Sequence, residues 1–134
     1  MTTTLSTTIV ESLKSTGETL SIAESLTGGA LTSEIVSVPG ASHILKGSIV
    51  AYSVEIKVHE LSVSQDIIDK VGVVSEEVAL AMADGVKARM NSTWSIASTG
   101  VRWPRSPSRN SRRHRLVGDR WTRYPRNSEI SPRR

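Results

Sequence analysis

Leu5, Ile9, Val10 and Leu13 recur at helical spacing, and Gly17 supplies a stop, so the pattern predicts a first helix over about 5–16. The period then changes. In "ETLSIAES", Leu20 and Ile22 alternate and give way to small residues, as a buried strand would. "TGGALTSEIVSVPG" sets Leu31, Ile35 and Val36 on one face and ends at Pro39-Gly40, which reads as a tight loop followed by a helix. "KGSIVAYS" is a second strand ending near Tyr52, and "SVEIKVHELSV" is a short helix. "SQDIIDKVG" is another, with Ser64 as its cap. The clearest helix is "VSEEVALAMADGVKARMN". Ser75 caps it, Glu76 and Glu77 favour the dipole at its start, and Val78, Met82 and Val86 line one face. "TWSIAST" is a third strand. Strands alternating with helices, without an internal repeat, predict an α/β layered domain.

After Thr99-Gly100 the periodicity stops, and composition changes with it. The chain has 134 residues and a formal charge of +4. Residues 1–100 carry six basic and eleven acidic side chains, whereas 101–134 carry eleven arginines, no lysine, and only Asp119 and Glu129. Four of the five prolines also fall after the break. Low hydrophobicity with many arginines predicts a disordered tail over 102–134, next to a folded domain over 1–101. The absence of cysteine excludes disulfides and thiolate chemistry. No apolar run approaches the ~20 residues of a membrane span, and no signal-peptide pattern opens the chain, so a cytoplasmic protein is expected.

Chemistry concentrates in "SIAESLTGGALTSEIV", where Ser25, Thr27, Gly28 and Gly29 stand between a strand and a helix. Amides at a helix start bind anions and would equally stabilise an oxyanion if a neighbouring serine attacked a carbonyl. No Lys-Ser/Thr pair follows the glycines, so this is no Walker motif. A plain capped turn is the competing reading. His43, His59 and His114 lack metal-ligand spacing and read as surface residues. Glu24 serves either as a structural hydrogen-bonder or as an acid.

"AESLTGG", "VPGAS", "GSIVAYSVEIKVHEL", "GVVSEEVALAMADGV" and "SIASTGV" occur in order, and together they resemble the C-terminal domain of the CinA family over nearly all of residues 5–101. That family includes competence/damage-inducible proteins and nicotinamide mononucleotide deamidase. The resemblance implies a three-layer α/β/α fold, and hydrolysis of nicotinamide mononucleotide to nicotinic acid mononucleotide and ammonia without metal or cofactor. Carried over by motif, Ser25 is the nucleophile, Lys57 its base and Tyr52 the accompanying hydroxyl. Thr27, Gly28 and Gly29 hold the phosphate or the oxyanion, and Thr99 and Gly100 line the same pocket. By pattern alone, Lys57 would be a solvated charge on an amphipathic helix, and Tyr52 a core residue with its hydroxyl at the rim. The intact family domain is expected to be a homodimer. The longer family members' molybdopterin-binding-like domain has no counterpart here, which implies the stand-alone deamidase form.

In the family "TGV" is followed by "AGP", and here "VRWP" stands in that place. Trp103 is necessarily TGG. With Arg102 as CGC and Pro104 as CCC, a one-base shift turns Arg-Trp-Pro into Ala-Gly-Pro. "GDRWTRY", in the same shifted frame, permits G-T-V-G-L-A-I. A frameshifted tail from about residue 102 is therefore expected. It leaves the α/β domain incomplete, without the family's later strands and substrate-contacting arginine, and puts the chain's activity in question. The alternatives are a non-catalytic remnant, or a basic arm that contacts nucleic acid through charge, which the lack of a recognised nucleic-acid-binding fold disfavours.

Overall fold

The computed structural model describes residues 3–101. The expected tail over 102–134, His114 within it and the frameshift reading lie outside the described residues.

Eight of the elements anticipated from periodicity form, in the order α1 (Leu5–Thr16), β1 (Leu20–Glu24), α2 (Ala30–Val36), β2 (Leu45–Val50), α3 (Val54–Leu61), α4 (Gln65–Val71), α5 (Glu76–Met90) and β3 (Trp94–Ala97). A single 3-10 turn, Ala41–His43, joins α2 to β2. Local chemistry sets the ends. Thr4 accepts a hydrogen bond from the Thr7 amide to open α1, and Gly17 closes it with φ 68°, a left-handed conformation that costs glycine nothing. Ser53 and Ser75 accept from the amides three residues on and open α3 and α5. Ser64 occupies the cap position of α4 as expected, but its side chain makes no capping hydrogen bond.

The three strands form a parallel sheet in the order β2-β1-β3. All five residues of the central strand are buried, the condition of a parallel strand with both faces covered. One cluster packs Val10 and Leu13 of α1 and Ile35 of α2 on Leu20 and Ile22 of β1. The other packs Leu61, Ile68, Val78, Met82 and Val86 of α3, α4 and α5 on Ala23 and Ala97. The result is three layers, α/β/α. Fully burying a side chain such as Ile22 contributes roughly 1.5–3 kcal/mol, so the sheet is clamped from both sides. Its carboxyl edge becomes a rigid rim, ending at Glu24 in β1, Val50 in β2 and Ala97 in β3. Among the described residues, no helix is long and apolar enough to cross a membrane.

Candidate active site

In open parallel sheets, ligands bind beyond the carboxyl ends of the strands. Ser25 directly follows β1, Tyr52 lies two residues beyond β2, and Thr99 lies two beyond β3. They line one cleft of about 230 Å³, together with Leu26, Val54, Lys57, Val73, Val74, Gly100 and Val101.

Ser53 caps α3 so that the first turn of the helix points Lys57 back under the end of β2. Lys57 is 1% exposed. Its Nζ lies 3.0 Å from Ser25 Oγ, 2.7 Å from the Ala51 carbonyl and 3.2 Å from the Tyr52 carbonyl. Its Nζ partners are this hydroxyl and two carbonyls, and none of them is a carboxylate. Burial in this apolar setting pushes its pKa below the ordinary 10.5, because a desolvated ammonium is disfavoured. The expectation of a solvated Lys57 is overturned. The helix is amphipathic, but the lysine stands on its inner face. Ser25 is itself 5% exposed, so the pair sits at the floor of the cleft.

Three groups meet Nζ, and they suit a neutral amine as well as a charged one. Neutral Lys57 has two N–H donors for the two carbonyls and one lone pair for the Ser25 hydroxyl. A neutral Lys57 in this arrangement can accept the proton of the Ser25 hydroxyl.

The remaining expected residues are placed differently. Tyr52 is 71% exposed. Its carbonyl reaches Lys57, while its ring stands at the mouth of the cleft and not in the core; its hydroxyl makes no hydrogen bond to Ser25 or Lys57. The amide of Gly28 donates to the Ser25 carbonyl, and that of Gly29 donates to Glu24 Oε1. Both are already engaged, which leaves them little capacity for a ligand. Their residues take φ 59° and 105°, so glycine here answers the backbone of a tight turn. The amides of Leu26 and Thr27 donate to no described residue. Thr27 pairs its hydroxyl with Ser98 at 2.7 Å, tying the Ser25 loop to the end of β3. Thr99, 1% exposed, donates to the Val73 carbonyl and holds the α4–α5 loop on the cleft. At Gly100 an added Cβ would stand 2.9 Å from Leu26 Cδ2, so glycine leaves room for the leucine wall.

Glu24 belongs to the scaffold. Its buried carboxylate accepts from the amides of Gly29, Leu31 and Thr32 and from the Thr32 hydroxyl. It satisfies the donors at the start of α2 that a bound anion would otherwise meet. Burial alone would raise its pKa. Hydrogen bonds from the Thr27 and Thr32 side chains and from the Thr32 and Leu31 amides outweigh that and hold it below the ordinary 4.5. Leu26, Val54, Val73 and Val74 were not singled out by the sequence. The one signal for them was their place inside motifs whose other members had chemical roles. Among the described residues no group of three His, Cys, Asp or Glu side chains could hold a metal, and His43 and His59 are exposed.

Residues 2–113 match the model of the CinA C-terminal domain. A CinA-like protein of Prochlorococcus marinus subsp. pastoris is 48% identical over 100 residues, 75% of this chain and 23% of the relative. One from Dictyoglomus thermophilum is 45% identical over 96 residues, 72% of this chain and 23% of the relative. The chain thus spans about a quarter of the length of these curated relatives. The crystal structure of the competence/damage inducible protein CihA from Agrobacterium tumefaciens superposes with a TM-score of 0.73 at 30% identity, covering 78% of this chain and 64% of that one. A competence-damaged protein (CinA) superfamily structure from Escherichia coli gives 0.70 at 33% identity, over 72% and 56% of the two chains.

Proposed function

Because the chain belongs to the CinA C-terminal domain family, we propose that its cleft is a serine–lysine amidohydrolase site that takes the carboxamide of nicotinamide mononucleotide. The observation that carries the reading is the contact of Lys57 Nζ with Ser25 Oγ, buried and without an acidic partner among the described residues. A serine is a weak nucleophile until a base removes its proton, and a lysine whose charged form is disfavoured by burial is such a base.

In this reading neutral Lys57 takes the Ser25 proton as Oγ attacks the carboxamide carbon. The developing oxyanion is met by the amides of Leu26 and Thr27, the two after the nucleophile with no described partner. Lys57 then gives the proton to the departing nitrogen. Ammonia leaves, and nicotinic acid mononucleotide is held as an ester on Ser25. Water, deprotonated by Lys57, attacks that ester; its hydroxyl stays on the acid, its proton returns to Ser25, and the dyad is restored. Amide plus water gives acid plus ammonia, with no redox step and no cofactor. The walls of Leu26, Val54 and Val73 suit a flat pyridine ring, and the charged phosphate is left towards the open mouth beside Tyr52. A homodimer is the assembly that accompanies this reading.

Ammonia release from nicotinamide mononucleotide by the purified chain, and by the chain with its frame restored from residue 102, tests it, with Ser25→Ala made in each as the control. Release by a parent and none by its variant is the expected result. Equal release by both removes Ser25 as the nucleophile.

A further inference from the structure

α5 carries no residue of the cleft, yet α3, which carries Lys57, packs directly on it. At Gly85, in the third turn of α5, the packing leaves no space. A Cβ built there would lie 1.9 Å from the Leu61 carbonyl oxygen, 2.7 Å from its carbon and 2.9 Å from its Cα. All three are backbone atoms at the end of α3, so no rotamer change relieves the contact. Gly85 has no left-handed φ to explain a glycine. In a helix interior glycine costs stability relative to alanine, and the approach of α3 is what this glycine permits.

That approach connects to the site through few bonds. Leu61 and Val63 are each 1% exposed and belong to the core cluster shared with Val86 and Met82. The amides of Ser62 and Val63 both donate to the Lys57 carbonyl. The end of α3 that rests on Gly85 is therefore bonded to the residue whose amine rests on Ser25. We propose that Gly85 is a positioning residue, whose missing side chain lets α3 seat on α5 deeply enough for Lys57 to reach Ser25. The inference rests on the reading of Lys57 as the base for Ser25.

The consequence is directional. With alanine at 85, the end of α3 must retreat by roughly 1 Å or more to regain ordinary contact distance. Lys57 is drawn with it, away from Ser25 and the two carbonyls and towards water. Leu13, in α1, belongs to the cluster on the opposite face of the sheet.

Competitive acetylation of the full chain across a pH series, read by peptide mass spectrometry, gives a titration midpoint for Lys57 beside those of Lys14, Lys46, Lys70 and Lys87. This readout needs no enzymatic turnover. In the parent and in Leu13→Ala, a variant that lowers stability without touching α3, the Lys57 midpoint is expected below those of the other lysines. In Gly85→Ala it is expected to rise by about one unit towards them. Leu61→Val loosens the same junction from the α3 side and gives a smaller rise in the same direction, which keeps the test available if Gly85→Ala does not fold. A depressed midpoint in the parent that stays unchanged in every folded junction variant overturns the positioning role and leaves the base reading intact. An ordinary midpoint in the parent overturns the base reading, and this proposal with it. An equal rise in Leu13→Ala assigns the effect to general loosening and also overturns it.

Discussion

The Nζ of Lys57 and the Oγ of Ser25 stand 3.0 Å apart, and neither residue is more than 5% exposed. They come from different layers, the serine from the end of the central strand and the lysine from a helix 32 residues later in the chain. Burial gives the contact its chemical meaning, since a surface lysine at the same distance would stay charged and could not accept a proton.

Lys57 should leave two marks on pH dependence. In the proposed mechanism hydrolysis needs the neutral amine, so the rate should rise with pH as Lys57 loses its proton, and Lys57→Met should lower the rate by about 100-fold or more and remove that limb. The second mark is on stability. The folded pKa lies below the ordinary 10.5, so between the two values the unfolded chain binds more protons than the folded one. Stability therefore increases as pH rises through that window, and the penalty persists in full below the folded pKa. Urea midpoints measured from neutral pH to about pH 10 should climb more steeply for the parent than for Lys57→Met. Parallel curves would show an ordinary lysine.

The helices and strands were legible because their signals are local. Ser53, Ser75, Gly17 and the spacing of Val78, Met82 and Val86 each act within a turn or two of where they stand. The depth of Lys57 was not legible from pattern, since a lysine on a short amphipathic helix reads as solvated until the neighbouring layer is in place. Only the motif "AYSVEIK" pointed inward. Gly28 and Gly29 misled in the opposite way. Their amides look available in sequence, but the carboxylate that takes one of them belongs to Glu24, and the Ser25 carbonyl takes the other. Whether a donor at a helix start is free depends on where a side chain folds back, and composition is silent on that.

Tyr52 separates into a backbone role and a side-chain role. Its carbonyl holds Lys57 at 3.2 Å, while its ring is at the mouth of the cleft. Tyr52→Phe keeps the carbonyl and most of the ring, so a change in rate of less than about fivefold is expected, with any larger effect falling on KM as the hydroxyl meets the substrate. A loss of kcat near that of Lys57→Met would place the hydroxyl in proton transfer. Steady-state kinetics of the two variants side by side decides between these roles.

Glu24 makes the longest-reaching structural prediction. Its carboxylate closes the start of α2 with three backbone amides and a threonine hydroxyl. The same residue precedes Ser25 and offers its own carbonyl to the Ala51 amide across the sheet. Glu24→Gln keeps the shape and removes the charge, but an amide has only one oxygen to accept with, and its NH₂ group faces donors. A loss of about 2–3 kcal/mol is expected at neutral pH. Because the folded pKa lies below the ordinary 4.5, the carboxylate's contribution is present in full above that value. It is lost as pH falls through the folded pKa, where the unfolded chain has already taken up its proton. The parent should thus lose stability on acidification over this range, and Glu24→Gln should lose less, so that the two denaturation curves converge in acid. A constant gap between parent and variant down to about pH 2 would mean that shape, and not charge, holds α2 to the strand.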